Sequence, residues 1–192
     1  MARLPRFDLS GVAQHIVQRG NDRLPCFAAD SDCSRYLQDL RDVARENGCA
    51  IQAYVLMTNH VHLLATPEKS GAISRMMQAL GRSYVSYFNR QYRRTGTLWE
   101  GRYKAFLVDS QDYVLRCYRY IELNPLRARM VSSPTEYRWS SYSHNANGDS
   151  NLLVTPHETY LALGKLKVDR YLYYAAFVSE DLVEAELKEI RS

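Results

Sequence analysis

The fold is decided by the stretch YVLMTNHVHLLATP, residues 54–67, in which two apolar runs flank a short polar turn. Alternation predicts one strand over residues 50–57 and a second over residues 60–66, joined as a tight hairpin. Side chains of a strand alternate between two faces, so His60 and His62 project from the same face. Val61, Leu63 and Ala65 face the other way, into a core under helices.

Periodicity and capping residues extend this hairpin into a domain. They predict further strands over residues 12–19 and 103–108, and helices over residues 30–47, 72–92 and 110–123. Gly48 ends the first helix and Ser110 caps the third. The order βαββαβ predicts an α+β, ferredoxin-like sandwich with an antiparallel sheet, in which the first and third strands are central.

The clearest change of composition along the chain is the polar, turn-rich segment SHNANGDS, residues 143–150. Such a segment is typical of a boundary between packed units. We therefore expect a main domain over residues 1–143 and a helical C-terminal extension over residues 151–192. Residues 172–190 are predicted to form a helix of that extension, packed on or beside the main domain.

Composition is that of a globular protein, with 46% hydrophobic and 24% charged residues among 192. No run of about 18 apolar residues predicts a membrane span, and the segment MARLPRFDLSG lacks the apolar stretch of a secretory signal. The four cysteines form no CxxC pair, which argues against a disulfide framework or a cysteine zinc site. We expect a cytoplasmic, nucleoid-associated protein without a membrane partner and with reduced, buried thiols.

Charge is unevenly distributed along the chain. Residues 75–138 carry 12 basic and 5 acidic side chains, a net charge of +7, whereas residues 145–192 have a net charge of −3. Tyrosine is abundant, at 15 residues, and is interleaved with the basic residues. This pattern indicates a polyanion with bases to stack on, although a solvated basic face would give the same composition. Candidate phosphate contacts are Arg82, Arg90, Arg93, Arg94, Arg102 and Lys104. Candidate base-stacking residues are Tyr84, Tyr87, Tyr92, Trp99 and Tyr103.

The two strand histidines are candidate ligands of a divalent metal. Two imidazoles side by side on one sheet face supply two ligands of such a site, and they leave coordination positions open for substrate oxygens and water. The spacing alone is also compatible with two half-exposed histidines that bind nothing. A third ligand is needed to decide between these interpretations.

The segment DYVLRCYRYIELNPLRARMV, residues 112–131, offers that ligand on a helix. Helical spacing predicts a buried stripe of Val114, Tyr118 and Ile121. It predicts a polar stripe, nearly opposite, of Tyr113, Arg116, Tyr120 and Asn124. The Asn124 amide oxygen is a hard ligand suited to Mg²⁺ or Mn²⁺, and the Tyr120 phenol, one turn away, is a possible nucleophile toward phosphorus. The alternatives are an exposed tyrosine and a helix-ending asparagine before Pro125.

Taken together, these pieces resemble the single-tyrosine HUH endonucleases, and most closely the REP-associated tyrosine transposases. The resemblance covers about residues 12–142. It is carried by HIVQRGNDR at residues 15–23, by the histidine strand with its flanks, by LWEGRYKA at residues 98–105 and by YRYIELNPLRARMV at residues 118–131.

The resemblance implies that His60 and His62 hold Mg²⁺ or Mn²⁺, that Asn124 completes the ligand set and that Tyr120 is the nucleophile. It implies cleavage and rejoining of single-stranded DNA at REP-like hairpins through a 5′-phosphotyrosine, by a monomer rather than a dimer. Residues that follow the first strand are candidates for reading bases near the cut; they are Gln18, Arg19, Asn21 and Arg23. No general base for Tyr120 is evident, and Glu122 lies about 200° away from it on the helix.

Two other functions fit the same residues. One is a divalent-metal nuclease in which activated water replaces the tyrosine. The other is a hairpin-binding protein without catalysis. Trapping of a covalent DNA adduct separates the first alternative from the transposase, and cleavage of a labelled hairpin separates the second.

Overall fold

The computed structural model of the protein describes residues 9–179, which form a four-stranded antiparallel sheet with helices on both faces. The strand order is β2-β3-β1-β4, so the first and third strands are central, as predicted. The strands are β1 (Ala13–Arg19), β2 (Cys49–Met57), β3 (His60–Pro67) and β4 (Lys104–Val108). The helices are α1 (Asp30–Asn47), α2 (Ala72–Gln91), α3 (Gln111–Glu122), α4 (Asn124–Arg127), α5 (Tyr142–Asn147), α6 (Glu158–Leu161) and α7 (Lys167–Ser179). The predicted α+β architecture with extra C-terminal helices is confirmed.

Helices α1 and α2 pack together on one face of the sheet over a dry core. Ile16 and Leu63 point into this core from the central strands, where they meet Tyr36 of α1 and Met76 of α2. Gly48 ends α1 in the left-handed conformation, at φ 63°, which a glycine adopts without a Cβ clash. We refer to this side of the sheet as the α1–α2 face.

Helix α3 covers the opposite side of the sheet, which we call the α3 face. Ser110 caps the helix as predicted, because its Oγ accepts a hydrogen bond from the Tyr113 backbone N–H at 3.3 Å. The predicted buried stripe is also observed: Val114, Tyr118 and Ile121 are buried within the second apolar cluster.

The C-terminal helices pack against the outer side of α3. The Tyr118 ring stacks on Tyr160 of α6 at 5.9 Å between centroids and meets the Tyr174 ring of α7 edge-on at 6.0 Å. Helix α3 is therefore buried from two directions, by the sheet and by the extension.

A β-bulge in β2 lets that strand serve both cores. The register shifts between Ile51 and Ala53, so Ile51 faces the α1–α2 core whereas Ala53, two residues later, faces α3. Gln52 at the bulge donates its side-chain N–H to Thr66 Oγ1 at 2.9 Å.

The predicted polar boundary is partly helical, since α5 occupies Tyr142–Asn147. Beyond it, Val154 pairs with Ile51 at the edge of the sheet. The predicted helix over residues 172–190 begins earlier, at Lys167, and its part after Ser179 lies outside the described residues. The division of the chain near residue 143 stays a prediction.

Two expectations from composition concern the described residues as well. Cys26, Cys33, Cys49 and Cys117 are all buried and free of disulfides. Within residues 9–179, none of the helices has the length and apolar character to cross a membrane.

Candidate active site

The histidine strand β3 lies in the middle of the sheet, between β1 and β2. Val17 pairs with His62, and Arg19 with His60, across the antiparallel β1–β3 ladder. On the far side of β1, Lys104 pairs with Val17. One row of paired residues therefore crosses three strands, and it consists of His62, Val17 and Lys104. This pairing brings the end of β4 that carries the basic side chain of Lys104 close to the histidines.

The hydrogen bonds of the two rings decide which nitrogens are available to a ligand. Nδ1 of His60 donates to Oδ1 of Asn59 at 2.7 Å, because an amide oxygen only accepts. The Asn59 amide N–H₂ in turn donates to the Arg23 carbonyl at 2.9 Å, which fixes the amide orientation. Nε2 of His60 is therefore left with its lone pair. Nδ1 of His62 is engaged by Nε2 of His15 at 2.9 Å, so Nε2 is also the remaining nitrogen of His62.

Burial keeps all three imidazoles neutral at neutral pH. It lowers the pKa of His15 to about 4 and, helped by the Arg19 charge, that of His60 to about 4. The pKa of His62 lies well below its ordinary value, first because of burial and then because of neighbouring His15, His60, Arg127 and Arg19. Neutral imidazole is the form that binds a metal ion.

Tyr120 projects from α3 onto these rings. Its ring meets His62 edge-on at 5.8 Å and His15 at 5.7 Å between centroids. Tyr120 lies on the predicted polar stripe, yet it is only 7% exposed, so the alternative of an exposed helix tyrosine is wrong. Tyr118 and Tyr120 lie about 200° apart on the helix, and both are buried because α3 has packing partners on both sides.

Arg127 of α4 also contacts the tyrosine ring. Its guanidinium carbon lies 4.3 Å from the Tyr120 ring centroid, a cation–π contact. One guanidinium N–H also donates to the Tyr120 carbonyl at 2.6 Å. The tyrosine ring thus contacts two imidazoles and a cation.

Asn124 follows the tyrosine by one turn, where the sequence predicts it. Its amide N–H₂ donates to the carbonyls of Tyr120, at 3.0 Å, and Ile121, at 3.4 Å. These bonds use the nitrogen and leave the amide oxygen as the atom suited to a hard cation.

The donor set fits a divalent cation. One imidazole Nε2 from each histidine and one amide oxygen are the atom types that Mn²⁺ or Mg²⁺ accepts alongside phosphate oxygens and water. Among residues 9–179 there is no group of three His, Cys, Asp or Glu side chains placed to hold a metal.

An open cleft of about 310 Å³ lies beside the tyrosine. Its walls are Val17, Arg19, His62, Glu100, Arg102, Lys104, Phe106 and Tyr120. Three of these side chains are basic and one is acidic, so the cleft favours an anion.

The segment that supplies Glu100 and Arg102 is tied to the end of β1. The Glu100 backbone N–H donates to the Arg19 carbonyl at 2.8 Å, and Gly20 bridges to Trp99. A glycine is required at position 20, where this segment meets the end of β1, because a Cβ there would lie 2.3 Å from the Leu24 carbonyl oxygen. This explains how residues 98–105 reach the same site as the histidines.

The predicted nucleic-acid contacts divide between two surfaces. Arg19, Arg102 and Lys104 line the cleft, and Asn21 and Arg23 form a short 3-10 turn directly after β1. In contrast, Arg82 and Arg90 of α2 lie on the α1–α2 face, where they line a separate groove with Arg35. Arg93 and Arg94 follow α2, and Arg94 packs over the Phe88 ring at 5.5 Å.

Gln18 is not part of the site. It is 8% exposed, and alternation along β1 directs it to the α1–α2 face, with Ile16. Its neighbour Arg19 is on the side of the histidines. The prediction that Gln18 reads bases has no support in this geometry.

Three of the proposed base-stacking residues are core residues instead. Tyr84, Trp99 and Tyr103 are buried in the α1–α2 core, and the Tyr84 hydroxyl donates to the Cys26 carbonyl at 2.7 Å. Tyr87 and Tyr92 are half-buried, and both hydroxyls donate to the buried Asp32 carboxylate, at 3.0 and 2.7 Å. The abundance of tyrosine in this region therefore reflects packing to a large extent.

His15, Arg127 and Glu100 are site residues that the sequence did not single out. All three stand within motifs that carry the family resemblance. Alternation placed His15 on the same face of β1 as Arg19, but the register that sets His15 beside His62 follows only from the structure.

Glu122 occupies a separate buried pocket and does not serve Tyr120. Its carboxylate accepts hydrogen bonds from Ser141 Oγ at 2.5 Å, Asn145 Nδ2 at 2.7 Å and the Tyr174 hydroxyl at 2.5 Å. Burial raises its pKa to about 7, against the lowering effect of these three bonds. The pocket joins α3 to α5 and α7.

Two solved structures are similar to this chain, and the first of them supports the same fold. One similar structure, described as a REP-associated tyrosine transposase bound to a REP hairpin, matches with a TM-score of 0.64 and 17% identity, over 82% of this chain and 93% of that chain. A protein of Deinococcus radiodurans R1 described as a candidate transposase matches at 22% identity and a TM-score of 0.44, over 67% of this chain and 92% of that chain. The search of curated proteins found no match.

The family model described as "Transposase IS200 like" matches residues 8–124. The matched part runs from the first strand through the histidine strand to the tyrosine and asparagine of α3 and α4, and it makes up more than half of the chain. The chain belongs to the IS200-like transposase family.

Proposed function

We propose that this protein cleaves and rejoins single-stranded DNA at REP-like hairpins through a 5′-phosphotyrosine on Tyr120. The observation that carries the proposal is the meeting of Tyr120 and His62 on the wall of one basic cleft, with 5.8 Å between their ring centroids. Membership of the transposase family and the likeness to a protein described as bound to a REP hairpin give further support.

The chemistry is an in-line displacement at phosphorus. The Tyr120 phenol oxygen forms a bond to phosphorus while the bond to the 3′ oxygen breaks. The phenol gives up its proton to solvent, and the departing strand end takes one up as a free 3′-OH. Since one phosphate ester replaces another, a 3′-OH rejoins the strand by the reverse step without a further energy source.

His60, His62 and Asn124 would hold the divalent cation, with Nε2 and the amide oxygen as the contacting atoms. When bound, the cation supplies Lewis-acid polarisation of the scissile phosphate. Arg19, Arg102 and Lys104 bind and orient the flanking phosphates from the other walls of the cleft. Arg127 contributes from above the Tyr120 ring, where its charge stabilises negative charge that develops on the phenol.

Tyr120 contacts His15 and His62 of its own chain, and this contact supports action as a monomer. Helix α3 lies on its own sheet, and α7 holds its outer face through the bond between Tyr174 and Glu122. Measurement of mass in solution with and without hairpin DNA tests this. Because the proposed substrate is chromosomal DNA, we expect the protein to act at the nucleoid.

The decisive experiment is to trap the intermediate. Wild-type protein is incubated with a labelled REP-type hairpin that carries a single-stranded extension, in Mg²⁺ or Mn²⁺, and run on a denaturing gel. A labelled band at the mass of protein plus DNA, mapped by peptide mass spectrometry to residue 120, is expected. Cleavage without any adduct would favour a nuclease that uses water, and binding without cleavage would favour a non-catalytic hairpin-binding protein.

A further inference from the structure

A third histidine lies behind the candidate metal ligands. His15 stands on β1 diagonally across from His62, and its Nε2 lies 2.9 Å from Nδ1 of His62. The two ring planes are nearly parallel, with 16° between them and 5.1 Å between centroids, a separation compatible with a hydrogen bond between the ring edges. His15 is only 1% exposed, so solvent does not compete for this bond.

The direction of the proton in this bond determines what His62 offers to the cleft. A neutral imidazole has one N–H and one lone pair. If His62 Nδ1–H donates to His15 Nε2, the lone pair of His62 is on Nε2 and is available to a cation. If His15 donates instead, Nε2 of His62 carries the proton and is closed to a metal.

His15 is poorly explained as a structural residue alone. Its other ring nitrogen, Nδ1, is buried and has no hydrogen-bond partner among the described residues. A buried polar atom without a partner destabilises the fold, and an apolar side chain at this position would avoid that loss. Ala13, on the same face of β1, packs in the apolar cluster, which shows that this strand accommodates apolar side chains on that face.

We infer that His15 is a positioning residue that accepts the Nδ1 proton of His62 and so directs the Nε2 lone pair of His62 to the catalytic cation. The inference rests on the proposed function, because it assigns His62 to a metal. His15 touches no substrate. It acts through His62, and it also supports the Tyr120 ring, whose centroid lies 5.7 Å from its own.

The test is the affinity of the DNA-free protein for Mn²⁺, measured by titration calorimetry. His15→Phe keeps a ring but removes the acceptor, and we expect Mn²⁺ affinity to fall about 10- to 100-fold. His15→Gln restores an acceptor near the Nε2 position and is expected to recover most of the affinity. Ile16→Val, an equally buried change on the opposite face, is the control and should leave Mn²⁺ affinity unchanged.

Nitrogen-15 NMR of the ring nitrogens in the metal-free wild-type protein gives a second readout that needs no variant to fold. The inference requires a protonated Nδ1 and an unprotonated Nε2 on His62. A protonated Nε2, or wild-type Mn²⁺ affinity in a folded His15→Phe, would overturn it. Failure of the proposed function has another signature, which is a missing adduct on Tyr120 while these metal and proton readouts are as expected.

Discussion

The two faces of the sheet differ in what holds them together, although both arise from the same alternating strands. On the α1–α2 face, Leu63 and Met76 pack in a continuous apolar cluster. On the α3 face, the apolar cluster gives way at one end to His15, His62, Tyr120 and Arg127, which contact each other. The first face is held together by apolar packing, whereas the second also buries polar side chains in contact with one another.

Replacement of the nucleophile should have the largest effect on the α3 face. Tyr120→Phe removes one oxygen and keeps the ring between His62 and Arg127. We expect cleavage and adduct formation to fall on the order of 1,000-fold or more, with hairpin binding intact. Rates of strand cleavage, gel shifts and adduct yield measure the three properties.

Tyr118→Phe is the matched control on the same helix. Its hydroxyl accepts a hydrogen bond from the His157 backbone N–H, at 3.1 Å, on the side away from the sheet. Loss of this bond should cost about 1 kcal/mol of stability and leave cleavage nearly unchanged. If Tyr118→Phe is the inactive variant and Tyr120→Phe cleaves normally, the assignment of the nucleophile is wrong.

Removal of a candidate metal ligand should have the next largest effect on cleavage. His60→Ala and His62→Ala each delete an imidazole, and we expect at least about a 100-fold loss of cleavage. Asn124→Ala should lose less, because a neutral amide is a weaker ligand than imidazole. EDTA should inactivate the wild-type protein, and added Mn²⁺ should restore it. Undiminished cleavage in EDTA would contradict the metal assignment.

The sequence predicted the strands and helices well, but it predicted less well which parts of the chain pack against α3. Alternation fixed which faces His60 and Leu63 occupy, because side-chain direction in a strand depends on local geometry alone. The burial of Tyr120 on the predicted polar stripe did not follow from the sequence, because helical spacing does not reveal that a helix has neighbours on two sides. The pairing of His15 with His62 depends on strand register, a long-range property that one strand alone does not encode.

The pocket around Glu122 leads to a prediction about the free energy of unfolding, for which we expect an effect of intermediate size. Its pKa is raised to about 7 in the folded protein from 4.5, so the folded state binds more protons between these values. The contribution of this group is therefore full below pH 4.5 and is lost as pH rises through about 7. The shift corresponds to about 3 kcal/mol.

Urea unfolding of wild type and Glu122→Gln at pH 5 and pH 8 measures this effect. The amide does not ionise, so the variant should gain stability relative to wild type as pH rises, by up to about 3 kcal/mol. A difference between the two proteins that is independent of pH would show that Glu122 keeps one protonation state throughout.

The smallest effect, on DNA binding, should come from replacement of basic residues. These replacements allow a direct comparison of the two faces. Arg102 and Lys104 line the cleft of the α3 face, whereas Arg82 and Arg90 line a groove on the α1–α2 face. A short single strand should contact only the cleft pair. Its binding should lose salt dependence in the Arg102→Ala, Lys104→Ala double variant, by about 0.7 in the log–log slope for each phosphate contact removed.

The Arg82→Ala, Arg90→Ala double variant is the matched control, since it removes two positive charges from the other side of the sheet. It should bind the short single strand with an unchanged slope, because screening over this distance leaves little long-range attraction at physiological salt. A complete hairpin is long enough to reach beyond the cleft, and a reduced slope with this DNA alone would place its stem on the α1–α2 face. Equal effects of both double variants on the short strand would mean that net charge, rather than the cleft, attracts the DNA.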